Sequence, residues 1–426
     1  MKRLLVANGL ILDPVTQSVK TSNIYIADGV IIAIDHEPDG FEPDQTIDAS
    51  RQIISAGLVD LCARLREPGL EFKADIDSET RAAASGGITT LCCPPDTDPV
   101  IDEPAVVELI HHKAAKATHA NVLTLGALTN GLQGQLLSEM SALKAAGCVG
   151  LSNSRNPVLN TLILRRAYAY AANCGMTVHI EPDDHWLSAG GCAHDGPVAT
   201  RLGLQGIAVS AETVAISRAL ELILETGVKA HFGRLSSAHG IELIRRAKDQ
   251  GMDITADVSA HQLFLNEMDI NSFNSMCHVL PPLRSQRDME ALRHGISEGV
   301  IDAICSDHQP HEPDAKQAPF ASTEPGISAL ETLLPLALRL VPEQVVPTYS
   351  ALSLLTTRPA AILGIHAGVV AVNRPADICI YDPEEDWQLD AAGMLSRGRN
   401  TPFAGWNFQG KVRHTILGGR LVYSAA

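Results

Sequence analysis

The segment with the clearest chemical potential is GLVDLCARLREPG, residues 57–69, which predicts a buried strand that opens into a loop. Residues two apart at such a strand end lie on the same face and can aim at one divalent cation. The two positions here are Cys62 and Arg64. An arginine stays protonated and offers no lone pair, so Arg64 cannot ligate a metal. Cys62 is most simply a small buried hydrophobic residue.

Other polar residues stand where further strand-like runs end. Asp307, His308 and His311 form the densest group, which favours a functional site because apolar strands seldom end in such a cluster. His179 is explained equally well by a satisfied core histidine and by a functional one. The polar residues at predicted strand ends are Cys62, Arg64, Arg66, Asp96, Asn153, His179, Arg234, His261, Asp307, His308 and His311.

Eight strand-like runs alternate with amphipathic, helix-like stretches such as residues 212–226 and 240–250. This rhythm predicts an α/β fold, a closed (β/α)8 TIM barrel over residues 53–365, with its site at the C-terminal strand ends. A doubly wound open sheet is the alternative, but no GxGxxG motif follows the first strand. The eight predicted strands are Ile53–Leu61, Gly87–Pro94, Asn121–Leu128, Gly147–Asn153, Met176–Glu181, Val228–Leu235, Asp253–His261 and Ile301–Asp307.

Both ends of the chain have short strand patterns punctuated by turn signals. At the N-terminus these are residues 3–6, 23–26 and 30–34; at the C-terminus they are residues 368–381 and 410–423, with Gly418 and Gly419 as a hairpin turn. The two ends therefore predict one small β-sandwich domain assembled from residues 1–52 and 366–426.

The composition is that of a globular protein without a nucleic-acid or membrane partner. Of the 426 residues, 45% are hydrophobic, and a net charge of -16 argues against binding to nucleic acid or anionic membranes. No apolar run approaches the roughly 20 residues of a membrane span, and the opening segment does not resemble a signal peptide. Nine cysteines without a CxxC pair predict reduced, buried thiols in a cytoplasmic protein, with disulfides as the second interpretation.

Several motifs together resemble a known family. They are GLVDLCARLREPG, CCPPDTDP, RLGLQGIAVSAE, PPLRSQRD, SDHQPH and RGRNTPFAGWNFQGKV. Across essentially the whole chain they look like a bacterial dihydroorotase of the long type, within the cyclic amidohydrolase superfamily. SDHQPH alone indicates only an amidohydrolase, whereas RGRNTPFAGW with LREPG favours dihydroorotases over hydantoinases and allantoinases.

The resemblance implies ring hydrolysis or closure by zinc-activated water, with an aspartate that shuttles the proton. It also implies six ligand positions, of which only His179 and Asp307 match the family's residue types. Arg64 and Arg234 put fixed cations where imidazoles would hold zinc, and Asn153 replaces an anion by a neutral amide. The implied metal-site positions are Cys62, Arg64, Asn153, His179, Arg234 and Asp307.

The implied substrate pocket is only partly preserved. Arg66 and His311 match the family, but Asp96 stands where an asparagine is implied and would repel a carboxylate, and Leu280 replaces a second asparagine. These departures predict a catalytically inactive homologue without a cofactor. By resemblance to non-catalytic copies, the expected role is that of a structural subunit of aspartate carbamoyltransferase, within a homo-oligomer.

Two other functions stay open from the sequence. The chain could be an active cyclic amidohydrolase with an altered zinc site built on His179, Asp307 and Cys62, or a binding protein that keeps ligand affinity without turnover. If the protein is inactive and binds no metal, Asp307 would be a buried anion without a partner, which is costly unless an arginine pairs with it. We therefore predict Arg64 or Arg234 within hydrogen-bonding distance of Asp307.

Overall fold

Residues 3–425 are described by a computed structural model, and their strands form two large sheets and one small one. Numbered in chain order, β1 to β18 are Arg3–Asp13, Ser18–Ala27, Val30–Ile34, Gln45–Asp48, Ile53–Ala56, Leu58–Asp60, Ile88–Cys93, Asn121–Ala127, Gly150–Ser152, Val178–Ile180, Ala193–His194, Gly206–Ile207, Ala230–Phe232, Ile254–Ser259, Ala303–Cys305, Ile378–Gln388, Asn407–Leu417 and Arg420–Ser424. The α-helices α1 to α12 are Ile76–Ser85, Pro104–Ala117, Met140–Ala145, Thr161–Cys174, His185–Ser188, Pro197–Leu202, Val209–Thr226, Ala238–Asp249, Gln286–Ser297, Leu333–Arg339, Thr348–Ser353 and Thr357–Leu363.

The central sheet is a nearly closed parallel barrel. Its strands follow the order β6, β7, β8, β9, β10, β13, β14 and β15. The remaining gap is bridged where Arg64 N–H donates to the carbonyl of His308 at 2.9 Å and His308 N–H donates to the carbonyl of Cys62 at 3.3 Å. The predicted barrel is therefore confirmed over the open sheet, and its strand ends converge on one mouth.

The longer helices outside the barrel bury an apolar face, as α8 illustrates. In α8, Ile241, Ile244 and Ala247 are buried at the spacing of one helical face. The side chain of Ser237 caps its first turn by accepting from Gly240 N–H, which satisfies a backbone donor that the helix itself cannot pair. The helix predicted at residues 212–226 extends further and begins at Val209.

The strands of both termini form a second sheet, in the order β18, β17, β16, β5, β1, β2 and β3, with β4 paired to β1. This sheet has its own buried apolar cluster, which includes Ile24, Ile54 and Ile378. The C-terminal strand predicted at residues 368–381 is displaced, because β16 begins at Ile378 and continues to Gln388. The hairpin turn at Gly418 and Gly419 is confirmed, and both glycines have positive φ.

The prediction of one strand over Ile53–Leu61 is wrong. Residues 53–56 pair with β1 and β16 in the terminal sheet, whereas residues 58–60 begin the barrel. The change of sheet occurs at Gly57, where a Cβ atom would lie 2.2 Å from Thr89 Oγ1. Only glycine allows the backbone to pass so close to the neighbouring strand. The proposed domain limits, 1–52 with 366–426 and 53–365, stay a prediction.

All nine cysteines are free, and all but Cys174 are buried. Burial raises the pKa of the Cys93 thiol to about 12, which favours the protonated form. Within residues 3–425, no helix is long and apolar enough to span a membrane.

Candidate functional site

Three arginines and two carboxylates meet at the C-terminal mouth of the barrel. Arg234 Nη2 lies 2.7 Å from Glu181 Oε1, and Arg155 Nε donates to Glu181 Oε2 at 3.1 Å. Arg64 Nη1 donates to Asp307 Oδ1 at 3.3 Å, and Arg155 Nη2 lies 3.6 Å from Asp307 Oδ2. The residues come from the ends of β6, β9, β10, β13 and β15, so barrel closure brings them together.

Arg64 is the residue that links most of the mouth. In addition to Asp307, its Nε donates to Asp96 Oδ2 at 2.8 Å, and its Nη1 lies 3.8 Å from Cys62 Sγ. The predicted contact between an arginine and Asp307 is therefore confirmed. Asp96, which the sequence suggested as a source of repulsion toward a carboxylate, is paired with a guanidinium instead.

The neighbouring residues determine the protonation of the Glu181 carboxylate and of the Cys62 thiol. Burial raises the pKa of Glu181, but the positive charges of Arg234, Arg64 and Arg155 outweigh this effect and lower the pKa overall. Glu181 therefore stays ionised. Burial raises the pKa of the Cys62 thiol well above its usual value, which favours the protonated form among these residues.

Two of the residues are held in an uncommon backbone conformation. Arg234 has φ 56° and Asp307 has φ 48°, in the left-handed region that residues other than glycine seldom adopt. Such positions tend to occur at binding and catalytic sites, where the surrounding structure holds them in place. Both lie just beyond a barrel strand, where the chain turns away from the sheet.

His179 on β10, His231 on β13 and His261 just after β14 are buried histidines of the barrel. The rings of His179 and His231 have centroids 5.2 Å apart, and His231 Nε2 is 2.8 Å from Asp257 Oδ2. Burial lowers the pKa of His179 well below its usual value, and nearby His231 adds to this effect. His179 Nε2 and both ring nitrogens of His261 have no hydrogen-bond partner among the described residues.

Asn153 does not join the charged group. Its Oδ1 accepts from Thr129 Oγ1 at 2.8 Å, and its Nδ2 donates to the carbonyls of Leu132 and Asn156 at 3.2 and 2.6 Å. The amide therefore holds together the loops after β8 and β9. His308 is also directed elsewhere, since its Nε2 lies 2.8 Å from Glu79 Oε2.

Arg66 and His311, the two preserved positions of the implied substrate pocket, contact each other. Arg66 Nη2 is 3.1 Å from His311 Nε2, and Lys73 Nζ is 3.1 Å from His311 Nδ1. We assign the imidazole proton to Nε2 because the nearby Pro325 carbonyl can only accept. Burial, with Arg66 and Lys73, lowers the pKa of His311 to about 2, so the ring is neutral.

The remaining pocket position, Leu280, lines a cavity of about 150 Å³ together with Arg155, Arg234 and Arg284. Sequence reasoning missed two residues of the site, Arg155 and Glu181. Glu181 was the last residue of a predicted strand, and Arg155 follows Asn153 by two positions. Counting both as strand-end polar residues would have found them.

Comparisons with known proteins agree with this architecture. A family model described as dihydro-orotase-like matches residues 51–239. A dihydroorotase-like protein of Pseudomonas aeruginosa is 46% identical over 413 residues, covering 97% of each chain. The chain belongs to the dihydroorotase-like family.

Other relatives extend the comparison. A dihydroorotase of Syntrophotalea carbinolica is 40% identical over 421 residues, covering 99% of each chain. The dihydroorotase-like fold is shared with an L-hydantoinase (dihydropyrimidinase) from Arthrobacter aurescens, with a TM-score of 0.89 at 24% identity over 100% of this chain and 96% of that one. The resemblance inferred from the motifs is confirmed.

The zinc implied for this dihydroorotase-like chain does not fit the residues at the mouth. The guanidinium groups of Arg64 and Arg234 stand at two ligand positions and contact Asp307 and Glu181, the anions a cation would need. A divalent cation among these donors would be repelled and under-coordinated. Across residues 3–425, no three His, Cys, Asp or Glu side chains are grouped so as to hold a metal ion.

Proposed function

We propose that this dihydroorotase-like chain is catalytically inactive and serves as a structural subunit that supports aspartate carbamoyltransferase in pyrimidine biosynthesis. The observation that carries the proposal is the pairing of Arg64 and Arg234 with Asp307 and Glu181 at the barrel mouth. Family chemistry requires a cation there that activates water. Fixed guanidinium groups neutralise the same anions but cannot bind and ionise a water molecule as zinc does.

The alternative is an active cyclic amidohydrolase with zinc on His179, Asp307 and Cys62. The contacts of this chain disfavour it, because Asp307 already accepts from Arg64 and from Gln309 Nε2. Burial raises the pKa of Cys62, so its thiol would have to lose a proton before the sulfur could coordinate a metal. Two of the three ligands, Asp307 and Cys62, would thus have to give up a hydrogen bond or a proton before a metal could be held.

The structural role is supported by what the chain keeps. The barrel, its helices and the terminal sheet are intact, and a rigid barrel can present an interface without a working active site. The choice of aspartate carbamoyltransferase as partner rests on the family resemblance. A complex with it is expected to be symmetric, since homo-oligomers generally combine under closed point-group symmetry.

Two measurements test the proposal. The first is zinc content and dihydroorotate hydrolysis by protein purified without chelators, compared with a metal-stripped sample. We expect substoichiometric zinc and equal, background hydrolysis in both samples. Stoichiometric zinc with hydrolysis above the stripped control would refute inactivity and favour the altered zinc enzyme.

The second measurement concerns the partner. The aspartate carbamoyltransferase of the same organism is expressed with and without this chain, and its mass in solution and its activity are recorded. We expect one large co-eluting species and raised or more durable transferase activity when the chain is present. Independent elution with unchanged activity would rule out the supporting role.

A further inference from the structure

A cavity of about 420 Å³ lies where the terminal sheet meets the helices around the barrel. Its lining comes from β5, β16 and β17 of that sheet, and from α10 with the segment that follows it. None of the charged residues of the barrel mouth lines it. Ligand pockets occur preferentially at the interface between two structural units. The groups on its walls therefore indicate what it could bind.

The interior of the cavity is apolar, and its rim is polar. Tyr381, Phe408 and Ile53 contribute buried side chains from the sheet. Leu338 of α10 and Val341 after it add aliphatic surface. An apolar interior of this kind suits a ligand with a hydrophobic body. The exposed polar residues of the rim are Arg339, Asp386, Asn407 and Gln409.

Tyr381 carries a hydroxyl group into this apolar environment. Side chains alternate along β16, so that Ile380 joins the core of the terminal sheet whereas Cys379 and Tyr381 face the barrel side. Tyr381 is fully buried, and its Oη has no hydrogen-bond partner within residues 3–425. Buried polar groups are nearly always paired. An unpaired hydroxyl on the wall of a cavity therefore points to a partner that enters from outside.

The chemistry of this hydroxyl sets what the partner must offer. Burial raises the pKa of Tyr381, so the phenol keeps its proton and can donate it in a hydrogen bond. The missing partner is therefore an acceptor. A carbonyl oxygen accepts such a bond without bringing a charge into the apolar interior.

The charges of the rim disfavour an ionic ligand. Arg339 and Asp386 are the charged residues of the lining, and both are exposed. Arg339 is already engaged, because its Nε donates to Glu343 Oε1 at 2.9 Å and its guanidinium group lies 5.4 Å from the ring centroid of Trp406. An anion in the interior would lose water without gaining a buried cation.

The sheet side of the cavity offers an aromatic surface. Phe408 and Tyr381 both line it, and Phe408 packs against Trp387 with ring centroids 5.3 Å apart. Aromatic rings that pack against one another gain more than their buried area alone supplies. A flat ring in the ligand would extend this cluster into the cavity.

We propose that the cavity binds a small, uncharged aromatic molecule that carries a carbonyl group. The carbonyl oxygen accepts from Tyr381 Oη, and the ring packs between Phe408 and Leu338. One hydrogen bond and one buried ring support only weak binding, so we expect a dissociation constant on the order of 1 mM for a ligand of this minimal size.

This inference goes beyond the proposed function and does not depend on it. The cavity shares no lining residue with the metal-site or substrate-pocket positions. Binding there is expected whether or not the chain holds zinc, hydrolyses a ring or associates with the transferase.

The probe is benzamide, which has one ring, one carbonyl group and no charge, titrated into the full-length protein. Sodium benzoate has nearly the same shape but is an anion, and it serves as the comparison. We expect a saturable heat of binding and a rise in melting temperature with benzamide, and at least a tenfold weaker affinity for benzoate. No response to benzamide, or equal affinity for benzoate, would overturn the proposal.

Two variants and a matched control locate the response. Tyr381→Phe removes only the hydroxyl oxygen, and we expect about a fivefold weaker affinity for benzamide. Leu338→Trp fills the cavity with a larger side chain, and we expect at least a tenfold loss. The control is Tyr25→Phe, because Tyr25 is also buried but its Oη accepts from Asn23 Nδ2 at 3.4 Å in the terminal sheet. Its affinity for benzamide should be unchanged.

The melting temperatures without benzamide give a second, independent readout. Because the Tyr381 hydroxyl is buried without a partner, Tyr381→Phe should melt no lower than the unmodified protein. A clear fall in its melting temperature would show that the hydroxyl is paired within the protein and would refute the assignment. If Leu338→Trp does not fold, Tyr381→Phe still decides the question. Unchanged benzamide affinity in the folded variants would show that benzamide binds elsewhere and would also refute it.

Discussion

Arg234 Nη2 lies 2.7 Å from Glu181 Oε1 across the mouth of the barrel, and both side chains are less than a tenth exposed. Burying such a pair costs desolvation energy for both charged groups. Replacing both residues therefore destabilises the fold much less than removing one and leaving the other charge buried alone. The pairing therefore makes a barrel mouth rich in buried charges compatible with a stable fold. It also makes each member dependent on the other.

The first prediction concerns that dependence. Arg234→Met should lower the free energy of unfolding by about 3 kcal/mol, because Glu181 stays buried with less compensation. Adding Glu181→Gln should recover part of the loss, giving a coupling energy above about 1 kcal/mol in a double-mutant cycle. Equilibrium denaturation of the four proteins measures this directly.

The control for this cycle is the exposed pair of Arg165 and Glu225, whose side chains are about half exposed. Arg165→Met should cost less than about 1 kcal/mol, because exposed ion pairs contribute little. An equal loss of unfolding free energy in Arg165→Met and Arg234→Met would contradict the view that burial strengthens the ion pair at the barrel mouth.

The sequence predicted the barrel well because strand periodicity and turn residues are local signals. Seven of the predicted strands contain a barrel strand of the structure within their limits, whereas the run at Ile53–Leu61 belongs to two sheets. Periodicity cannot reveal that division, since both parts are fully buried. It depends on the close approach of Gly57 to Thr89, a contact between distant elements.

The charged site was predicted only in part for a similar reason. The convergence of Arg64 and Asp307 follows from barrel geometry and was confirmed. The orientation of Asn153 could not be predicted, because it depends on carbonyl groups of two loops whose conformations have no periodic signal. Glu181 and Arg155 could have been found by extending the strand-end rule by one or two residues.

The second prediction tests Gly57. Gly57→Ala should destabilise the protein by about 1–3 kcal/mol, because the added methyl group would overlap Thr89 and force one strand to move. Gly393→Ala is the control, since its Cβ would meet Asp390 at an ordinary distance of 3.5 Å. Thermal and denaturant unfolding compare the two, and a harmless Gly57→Ala would show that the strands can separate without cost.

The third prediction concerns pH. The pKa of His311 is about 2 in the folded protein against 6.5 for the ordinary side chain, owing to burial and to the cations Arg66 and Lys73. Between these values the unfolded chain binds a proton that the folded protein does not. Stability associated with neutral His311 is therefore fully present above pH 6.5 and is lost progressively as the pH falls toward 2.

The measurement is the free energy of unfolding at several pH values between 7.5 and 5. One such group can change this free energy by at most about 1.4 kcal/mol per pH unit. His311→Gln should reduce the slope by close to one proton near pH 5 but by only about a tenth of a proton near pH 7.5, because the unfolded side chain titrates around pH 6.5. Some slope should remain, since burial also lowers the pKa of His261 and His278 to about 4 each. An unchanged slope in His311→Gln would contradict a lowered pKa for His311 in the folded protein.

The last prediction is that simple reversion does not restore chemistry. A Cys62→His and Arg64→His variant regains two imidazoles, but Arg234 keeps its positive charge beside Glu181, and catalytic groups tolerate little misplacement. Adding Asn153→Asp should destabilise the fold. Asn153 Nδ2, which donates to the carbonyls of Leu132 and Asn156, would be replaced by an oxygen that these carbonyls repel. We expect this third change to cost about 1–3 kcal/mol of unfolding free energy.

Hydrolysis of dihydroorotate is measured with added zinc against a metal-stripped sample of each variant. Activity above the stripped control in the double variant would show that the mouth needs only two more imidazoles to work, and that Arg234 does not exclude the metal.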